Sequence, residues 1–344
     1  MGKRILVGIS TYRDRGHLEL LLQSIRWYTY KDDEDFDLVV CDDGTRKLDK
    51  NNMKRIEDVC ARFGAILIEH EHNAGIPTAW NHLAHACGGE SEIIITLNDD
   101  LLMPPNWLRT MVHFLDTNKD NPNVGSAFWL PEQPCPLDTM KFIIDKLGHT
   151  TFRMTDQATG RPLRHDPQSH YSGELLYESK WKEGHGLGRV MCMCGCCFGM
   201  RREVFERVGP FDERLTSFHE ESDFGTRCAS LGMASIALPY PSPYHAHGQT
   251  FANNPELQAS SRMVASRALY RQIWNVPDNV GPHDYFNYTN KKYMPQIPPI
   301  TVKYLAPDYS LEPENRMCVG GEVVRTPRLV EKTQTLGSME GVPV

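Results

Sequence analysis

Residues 93–108 read IIITLNDDLLMPPNWL: an apolar run, then three polar residues, then a stretch with helical spacing. A run of consecutive rather than alternating apolar residues is typical of a strand that is covered on both faces, as in parallel sheets. In open α/β sheets, ligands bind beyond the carboxyl ends of the strands. We therefore expect Asn98, Asp99 and Asp100, which end this strand, to lie at a binding site.

The alternation of strand and helix signals continues on both sides of this segment. Strands are predicted near residues 5–9, 38–41, 65–68, 93–97 and 124–130, with helices near residues 18–28, 53–63, 76–87 and 107–115. After residue 189 the predicted order is a strand in 190–200, helices near 201–209 and 220–231, a strand at 233–238 and a helix at 255–274. Strands separated by helices in this way predict a mostly parallel α/β sheet with right-handed crossovers.

The same rhythm predicts one main domain, residues 1–275, followed by an extension. Residues 1–130 are regular, whereas residues 131–275 include a stretch rich in Pro, Gly, His and charged residues that predicts long irregular loops. Residues 276–344 are rich in Pro and Tyr and end in a polar, Gly-containing tail. We expect this C-terminal extension to be partly disordered.

Composition and charge bound the class of protein. The chain has 344 residues, of which 40% are hydrophobic and 24% charged, as is ordinary for a globular protein. Its net charge is −7, from 44 acidic and 37 basic residues. A protein that neutralises a phosphate backbone usually carries a basic excess, so the charge disfavours a nucleic-acid partner, although a local basic patch is not excluded.

The sequence also lacks signals for a membrane or for export. No apolar run approaches the ~18–20 residues that span a bilayer. The first residues, MGKRILVGISTYRD, contain too short an apolar stretch for a signal peptide. We therefore expect a cytoplasmic protein without a transmembrane segment.

The ten cysteines are unevenly placed, with four of them in CMCGCC at residues 192–197. A zinc site would require two CxxC-like pairs, or one pair with distant His residues, in loops. Alternating CMCGCC followed by FGM is more typical of a buried strand, in which cysteine acts as a small core residue. We expect a core strand that binds no zinc.

Three acidic clusters stand at the predicted ends of strands or starts of helices. They are DDGT at residues 42–45, NDD at 98–100 and EESD at 220–223. Each alone is consistent with a turn or a helix cap. Two clusters at consecutive strand ends would repel each other unless a cation joined them, and Mg²⁺ and Mn²⁺ prefer carboxylate and phosphate oxygens. The pattern therefore predicts a metal–diphosphate ligand at the edge of the sheet.

The order of motifs resembles that of the family 2 glycosyltransferases, which have the GT-A fold. The similar segments are GISTYRDRGHLELLLQSI (8–25), LVVCDDGT (38–45), NAGIPTAWNHLAHACGG (73–89), IIITLNDDLLMPPNWL (93–108), CGCCFGMRREVFERVGPFDE (194–213), FHEESDFGTRCASLGM (218–233), YHAHGQT (244–250) and ALYRQIWNVP (268–277). The resemblance covers roughly residues 3–275. It implies a nucleotide-binding half at 1–130 and an acceptor half at 131–275.

The resemblance implies an enzyme that transfers a hexose or pentose, with inversion, from a nucleotide sugar to an acceptor hydroxyl. A UDP-sugar is the favoured donor, Mn²⁺ or Mg²⁺ the cofactor, and the acceptor is not indicated. The implied donor-binding residues are Ser10, Thr11, Tyr12, Asp42, Asp43, Asn73, Asn81, Asn98 and Asp99. Of these, Asp42 is expected to bond the base or ribose of the donor, with Thr11 and Tyr12 beside it.

The metal and catalytic residues follow from the same resemblance. Asn98 stands where the family often has Asp, so Asp100 is the expected principal metal ligand, with His245 of the HxxGxT segment as a second metal or phosphate ligand. Glu221 is the expected general base, and Asp223 either orients it or caps the helix. Since Glu221 replaces a customary Asp, Glu220 remains an alternative base.

Two rival functions are consistent with parts of this pattern. A sugar-phosphate nucleotidylyltransferase can share the sheet and the metal–phosphate site, but it usually has a Gly-rich, basic loop after the first strand, and GISTYRDRG lacks those glycines. The other rival is a non-catalytic nucleotide- or carbohydrate-binding module, stabilised by zinc through the cysteine cluster.

Overall fold

The computed structural model describes most of the main domain and the extension. The described residues are 4–31, 33, 35–129, 131, 137, 140, 141, 188–190, 193–241, 243–246, 254, 257, 259–281, 284–308, 310–319 and 321–337. The loops predicted for 131–189 therefore lie largely outside the described residues.

The main domain is built on a mixed eight-stranded sheet with the order β3-β2-β1-β4-β8-β6-β9-β7. Its strands are β1 (Ile5–Thr11), β2 (Phe36–Asp42), β3 (Ile66–Glu69), β4 (Ile93–Asn98), β6 (Val124–Trp129), β7 (Gly188–Val190), β8 (Cys197–Arg201) and β9 (Ala234–Leu238). Two short strands, β5 (Leu101–Leu102) and β10 (Tyr244–His245), pair with each other beside it. Six strands of the large sheet are parallel, and β8 and β7 run against them. The mostly parallel α/β sheet predicted from the sequence is confirmed.

Helices cover both faces of the sheet. They are α1 (His17–Tyr28), α2 (Lys50–Phe63), α3 (Ile76–His85), α4 (Trp107–Thr117), α5 (Arg202–Val208), α6 (Glu220–Ser230), α7 (Ala259–Ile273) and α8 (Tyr285–Tyr293). The local sequence explains how such a helix begins and ends. In α2, the Asp49 side chain accepts a hydrogen bond from Asn52 N at 2.9 Å, and Gly64 ends the helix in the left-handed conformation.

The two faces of β1 show why its apolar run is continuous. Ile5, Val7 and Ile9 belong to an apolar cluster that includes residues of α1, α2 and α4. Leu6 belongs to the cluster on the opposite face, with residues of α3, α5 and α6. Because successive side chains of a strand point to opposite faces, both sets must be apolar in a doubly covered sheet.

The C-terminal extension packs against the main domain. It contains two antiparallel pairs, β11 (Ile300–Asp308) with β14 (Arg328–Leu336) and β12 (Glu314–Met317) with β13 (Val323–Thr326). Side chains of β11 share the apolar cluster of α4. The buried Arg316 guanidinium lies 4.5 Å from the ring centroid of Tyr30. The described part of the extension is therefore joined to the main domain by apolar and cation–π contacts.

The prediction of one core strand over the CMCGCC segment is wrong for most of its described residues. Strand β8 begins at Cys197, and residues 193–196 form a turn before it. Cys192 lies outside the described residues. The small, apolar character of these residues indicated burial correctly for Cys196 and Cys197, but burial alone does not distinguish a strand from a buried turn.

Among the described residues, no helix has the length and apolar character needed to cross a lipid bilayer.

Candidate active site

A cleft of about 470 Å³ opens at the carboxyl ends of β1, β2 and β4, where the sequence placed the binding site. Its further walls come from the start of α3, the turn before β8, the start of α6, strand β10 and the start of α7. We call this space the central cleft. Its described lining residues include Ser10, Thr11, Tyr12, Asp43, Asn73, Asn98, Asp99, Asp100, Glu220, Glu221, His245 and Arg262.

The ends of β1 and β4 are joined directly. These strands are parallel neighbours, with Ser10 opposite Asn98. One residue further, Thr11 Oγ1 donates a hydrogen bond to Asp99 Oδ2 at 2.5 Å. Burial, and secondly the charge of Asp100, raise the pKa of Asp99 well above its usual range. Thr11 therefore positions a carboxyl group that the cleft keeps away from bulk water.

The DDGT turn after β2 directs its two carboxylates differently. Asp42 is fully buried and accepts hydrogen bonds from Thr45 N at 2.8 Å and Thr45 Oγ1 at 2.5 Å. Asp43 accepts hydrogen bonds from Ala74 N at 2.8 Å and Gly75 N at 2.9 Å. Asp42 thus closes its own turn, whereas Asp43 holds the backbone at the start of α3, against the cleft.

Gly75 is required where α3 approaches the segment before α6. Its φ is +98°, and a side chain there would collide with the Thr216 carbonyl oxygen. The close approach lets Ile76 N donate to that same oxygen at 3.3 Å. A glycine in the NAGIP motif therefore allows two walls of the cleft, far apart in sequence, to meet.

Asp100 and His245 form a buried pair at the end of β4. His245 Nε2 lies 3.0 Å from Asp100 Oδ1, and both side chains are 8% exposed. The backbone fixes this pair, because Ala246 N donates to Asp100 O at 3.0 Å beside the β5–β10 ladder. The neighbouring Asn98 has a buried Oδ1 without a hydrogen-bond partner among the described residues. Two side-chain oxygens and one imidazole nitrogen thus face a common space.

The two glutamates of the EESD segment begin α6 on the far side of the cleft. Both lie in the first turn, where the helix dipole favours negative charge. Burial raises the pKa of Glu221 to about 7. Burial, and then the charge of Glu221, raise the pKa of Glu220 well above its usual range. Near neutral pH, Glu221 is thus poised to exchange a proton, and the causes that raise the pKa of Glu220 favour its protonated form.

The backbone before these glutamates is strained. Phe218 and His219 have φ values of +70° and +67°, a conformation that residues with side chains rarely adopt. The His219 ring stacks on Tyr270 with ring centroids 5.0 Å apart. Consecutive residues in this conformation cluster at functional sites, where surrounding contacts compensate the strain. This strain sets the direction in which Glu220 and Glu221 enter the cleft.

The turn before β8 completes the wall next to Glu221. A Cβ built on Gly195 would lie 3.2 Å from the Trp80 ring and 3.6 Å from Glu221 Cδ. Trp80 is 2% exposed and packs edge-to-face on Phe198, with ring centroids 5.1 Å apart. The buried Trp80–Phe198 pair and the tightly packed Gly195 therefore support the Glu221 side chain and restrict its movement.

Three of the residues predicted for the site do not line the cleft. Asp42 is turned toward Thr45, as described above. Asn81 accepts from Phe211 N at 2.9 Å and donates to Phe211 O at 3.0 Å, so it joins α3 to the GPFDE segment. Asp223 accepts from Arg227 Nε at 2.8 Å and from Trp274 Nε1 at 3.0 Å, and it faces a second cavity. The other predicted donor, metal and catalytic residues line the central cleft.

Sequence reasoning missed several residues of the cleft, including one cation. Arg262 on α7 donates to Asn73 Oδ1 at 2.9 Å, and it is the one Lys or Arg among the described lining residues. Trp80 and Cys194 also line the cleft. Trp80 lies in an apolar helical pattern that indicates only burial. The sequence pattern around Arg262 does not indicate which residues of its helix face the cleft. The excess of carboxylates could have prompted a search for a compensating cation.

The fold and cleft define the class of protein as a GT-A α/β enzyme. Residues 6–130 match the glycosyl transferase family 2. This match covers the part of the chain that carries the first four segments of the motif resemblance, and it supports a glycosyltransferase. The sequence matches none of the curated proteins with which it was compared.

Solved structures show a similar fold at low sequence identity. The mannosyltransferase PcManGT from Pyrobaculum calidifontis, in complex with GDP-Man and Mn²⁺, is 15% identical with a TM-score of 0.50, covering 86% of this chain and 70% of that chain. S. aureus TarS is 14% identical with a TM-score of 0.44, covering 82% and 41% of the two chains. GalNAc-T7 with UDP, GalNAc and Mn²⁺ is 14% identical with a TM-score of 0.47, covering 71% and 44%. The chain thus spans less than half the length of the latter two.

Proposed function

We propose that this glycosyltransferase uses a nucleotide-sugar donor and a divalent cation, Mn²⁺ or Mg²⁺, and transfers the sugar with inversion to an acceptor hydroxyl. One observation carries the proposal. The Asp100–His245 pair and Glu221, a carboxyl group with a pKa near neutrality, face one cleft at the carboxyl edge of the sheet. This arrangement provides for a leaving diphosphate and for an attacking hydroxyl in the same space.

The residues at the end of β4 fit a divalent cation. A carboxylate oxygen and an imidazole nitrogen lie 3.0 Å apart, and the buried Asn98 Oδ1 nearby has no hydrogen-bond partner among the described residues. Mixed oxygen and imidazole ligands suit Mn²⁺, and Mg²⁺ accepts one or two carboxylates with substrate phosphates. Asp100 and His245 would hold the ion, which when bound supplies charge stabilisation to the diphosphate. The mannosyltransferase of similar fold was solved with Mn²⁺.

The nucleotide end of the donor is assigned to the part of the cleft at the ends of β1 and β2. Ser10, Thr11 and Tyr12 follow β1, and Asp43 and Asn73 flank them, all on the cleft wall. Their hydroxyl, phenol and amide groups can bond a ribose and a base. A UDP-sugar is the first candidate, and a GDP-sugar is the second because the mannosyltransferase was solved with GDP-Man.

Arg262 is assigned to the donor diphosphate. Its guanidinium donates to Asn73 Oδ1 in a cleft that the carboxylates of Asp43, Asp99 and Asp100 also line. A guanidinium forms two parallel, charge-assisted hydrogen bonds to phosphate oxygens. The cleft is otherwise acidic, so this cation offsets the repulsion that a diphosphate would meet there.

Glu221 is assigned the role of general base. Its carboxylate takes the proton of the acceptor hydroxyl while that oxygen bonds to the anomeric carbon of the donor. The bond from the anomeric carbon to the diphosphate oxygen breaks on the opposite face, and its electron pair leaves with the diphosphate. Attack opposite the leaving group inverts the anomeric centre. A base with a pKa near the working pH is effective, because it is ionised and still basic.

A donor screen tests the proposal. Thermal unfolding is measured with UDP-, GDP-, dTDP- and CMP-sugars, each with and without Mn²⁺. A donor that binds the native state stabilises it by about 2.7 kcal/mol at a hundredfold excess over its Kd. We expect one nucleotide class to raise the melting temperature in a Mn²⁺-dependent way. Transfer or slow hydrolysis of that donor should release its nucleotide, as a nucleoside diphosphate from a UDP-, GDP- or dTDP-sugar. Equal, metal-independent shifts for all four nucleotides would contradict the proposal.

A further inference from the structure

We propose that Cys194, Cys196 and Cys197 form a second metal site, specific for a thiophilic divalent cation of the Zn²⁺ class, in the wall of the central cleft. The site has other ligands than the Asp100–His245 pair in the same cleft, and its ligand chemistry differs. Thiolates select zinc and similar ions, whereas carboxylates favour Mg²⁺ and Mn²⁺.

The three sulfur atoms already converge on one point. Cys196 Sγ lies 3.4 Å from Cys194 Sγ and 3.4 Å from Cys197 Sγ, and all three atoms lie within 4.8 Å of one another. A Zn–S bond is about 2.3 Å, so tetrahedral zinc separates its sulfur ligands by roughly 3.8 Å. Small rotations about the side-chain torsions, which move the sulfur atoms by no more than roughly 1 Å, would thus bring these thiols to the spacing of a zinc site.

The backbone explains the convergence. In a strand, the side chains of neighbouring residues such as Cys196 and Cys197 would point to opposite faces. Residues 193–196 instead form a turn, which Cys197 N closes on Cys194 O at 3.3 Å. Asn98 N also donates to Cys196 O at 2.8 Å, so the end of β4 holds the turn in place. The turn thus brings three thiols within 4.8 Å of one another, which is close enough for them to share one ion.

The position of the turn leaves one coordination position for the cleft. Cys196 and Cys197 are buried, Cys194 is half-buried, and Cys194 and Cys196 line the cleft. Zinc is usually four-coordinate, and sites with three protein ligands retain an open position for water or substrate. Here that position faces the space beside Glu221, whose Cδ lies 3.6 Å from a Cβ built on Gly195.

The binding step balances with protons alone. Three thiols lose three protons, and one Zn²⁺ gains three thiolate ligands, so that the site carries one net negative charge. The Cys197 thiol, which donates to Trp129 O at 3.3 Å, gives up this hydrogen bond when it is metallated. No oxidant or reductant takes part.

Cobalt titration of the full-length, reduced and metal-free protein tests the proposal, because Co²⁺ replaces Zn²⁺ and reports thiolate ligands by charge-transfer absorption. We expect a thiolate charge-transfer band that saturates at one Co²⁺ per chain, whatever further Co²⁺ the Asp100–His245 pair holds, and that one equivalent of Zn²⁺ abolishes. Asp100→Ala should keep the band, since the ion is held elsewhere. Absence of a thiolate band in the folded wild-type protein would overturn the proposal without reference to any variant.

Substitutions then assign the band to the turn. Cys194→Ser and Cys196→Ser should lose the band or weaken Co²⁺ binding at least tenfold, while Cys60→Ser, a buried cysteine of α2, should bind as the wild type does. Circular dichroism confirms that each variant is folded. If Cys196→Ser does not fold, Cys194→Ser provides the test, because Cys194 is only half-buried and its substitution disturbs packing less. An unchanged band and affinity in folded Cys194→Ser would overturn the assignment. Glycosyl transfer is read separately, so neither result depends on the proposed function.

Discussion

His245 Nε2 lies 3.0 Å from Asp100 Oδ1, although 145 residues separate them in the chain. The short antiparallel pair of β5 and β10 produces this contact, with His245 opposite Leu101. The ladder is two residues long, yet it joins the segment after β4 to the segment that follows β9. The proposed metal site therefore depends on these two segments folding together.

Removal of either member of this pair should remove metal-dependent turnover. We expect Asp100→Ala to abolish transfer and His245→Ala to lower it by at least tenfold, with a larger Mn²⁺ concentration needed for half-maximal rate. The physical reason is the loss of the charge and ligand that hold the cation on the diphosphate. Initial rates measured against Mn²⁺ concentration check both variants.

The controls for the metal prediction are a histidine and a chelator. His85→Ala, in the last turn of α3, should retain the metal response of the wild type because His85 does not line the central cleft. Exhaustive dialysis against EDTA should inactivate the wild type, and Mn²⁺ should restore it. Full activity of the dialysed protein would refute metal dependence.

Glu221→Gln should slow the chemical step without weakening donor binding. A base acts on the acceptor, so donor and metal affinity should be kept while kcat falls by about 10²–10⁴-fold. Gln preserves the shape of the side chain, which separates proton transfer from packing. Calorimetric donor Kd and turnover are the two measurements.

Glu220→Gln is the matched control for the base. Burial and the charge of Glu221 raise the pKa of Glu220 well above its usual range, which favours the neutral form of Glu220, and an amide is a close substitute for that form. We expect kcat within a few fold of the wild type. If Glu220→Gln is inactive and Glu221→Gln is near normal, the two glutamates exchange roles; if both are active, the base lies outside this segment.

The activity should have an acid limb near pH 7. The pKa of Glu221 is raised to about 7, chiefly by burial, and the base must be ionised to accept a proton. Below that pKa, log(kcat/KM) should therefore fall with a slope near one as pH decreases, and above it the rate should level off. The profile is measured at saturating Mn²⁺, so that loss of the cation does not contribute. A limb centred near the ordinary glutamate pKa of 4.5 would show that burial does not control this group.

Patterns within one segment predicted the central sheet. Continuous apolar runs such as IIIT and LVVC determine doubly covered parallel strands, and their carboxyl ends must meet at one edge, so Asp43, Asp99 and Asp100 could be placed together before any coordinates. The motif order then implied the partners His245 and Glu221. These are properties of short stretches of chain.

The remaining features arise from contacts between distant segments. Asn81 belongs to a motif of the family, but its amide is used by Phe211, 130 residues away. The composition of the CMCGCC segment is consistent with a buried strand or a buried turn. The structure has a turn before β8, which the hydrogen bond from Asn98 N to Cys196 O holds in place. Arg262 faces the cleft only because α7 packs beside α6, and no local pattern specifies that packing.

Arg262→Met should weaken donor binding more than it lowers kcat. Hydrogen bonds to charged groups contribute about 1.5–3 kcal/mol, so donor Kd should rise by roughly ten- to a hundredfold. Arg271→Met on the same helix is the control, since Arg271 bonds Val276 O and does not line the cleft. Calorimetry with the nucleoside diphosphate and with the free nucleoside locates the contact of Arg262. The variant should lose affinity for the nucleoside diphosphate and keep its affinity for the nucleoside. Equal loss for both would place Arg262 away from the diphosphate.

Asp223→Asn should cost stability and leave the chemistry nearly unchanged, although Asp223 stands two residues after the candidate base. Its carboxylate is 3% exposed and joins Arg227 of α6 to Trp274 just beyond α7, away from the central cleft. Asn keeps the shape but loses the charge-assisted bond to Arg227, so the free energy of unfolding should fall by about 1–3 kcal/mol. Urea unfolding and kcat are measured on this variant and on Glu221→Gln, which should show the opposite pattern. A hundredfold loss of kcat in Asp223→Asn, with an unchanged free energy of unfolding, would indicate a catalytic role for Asp223. It would contradict the structural role in joining Arg227 to Trp274.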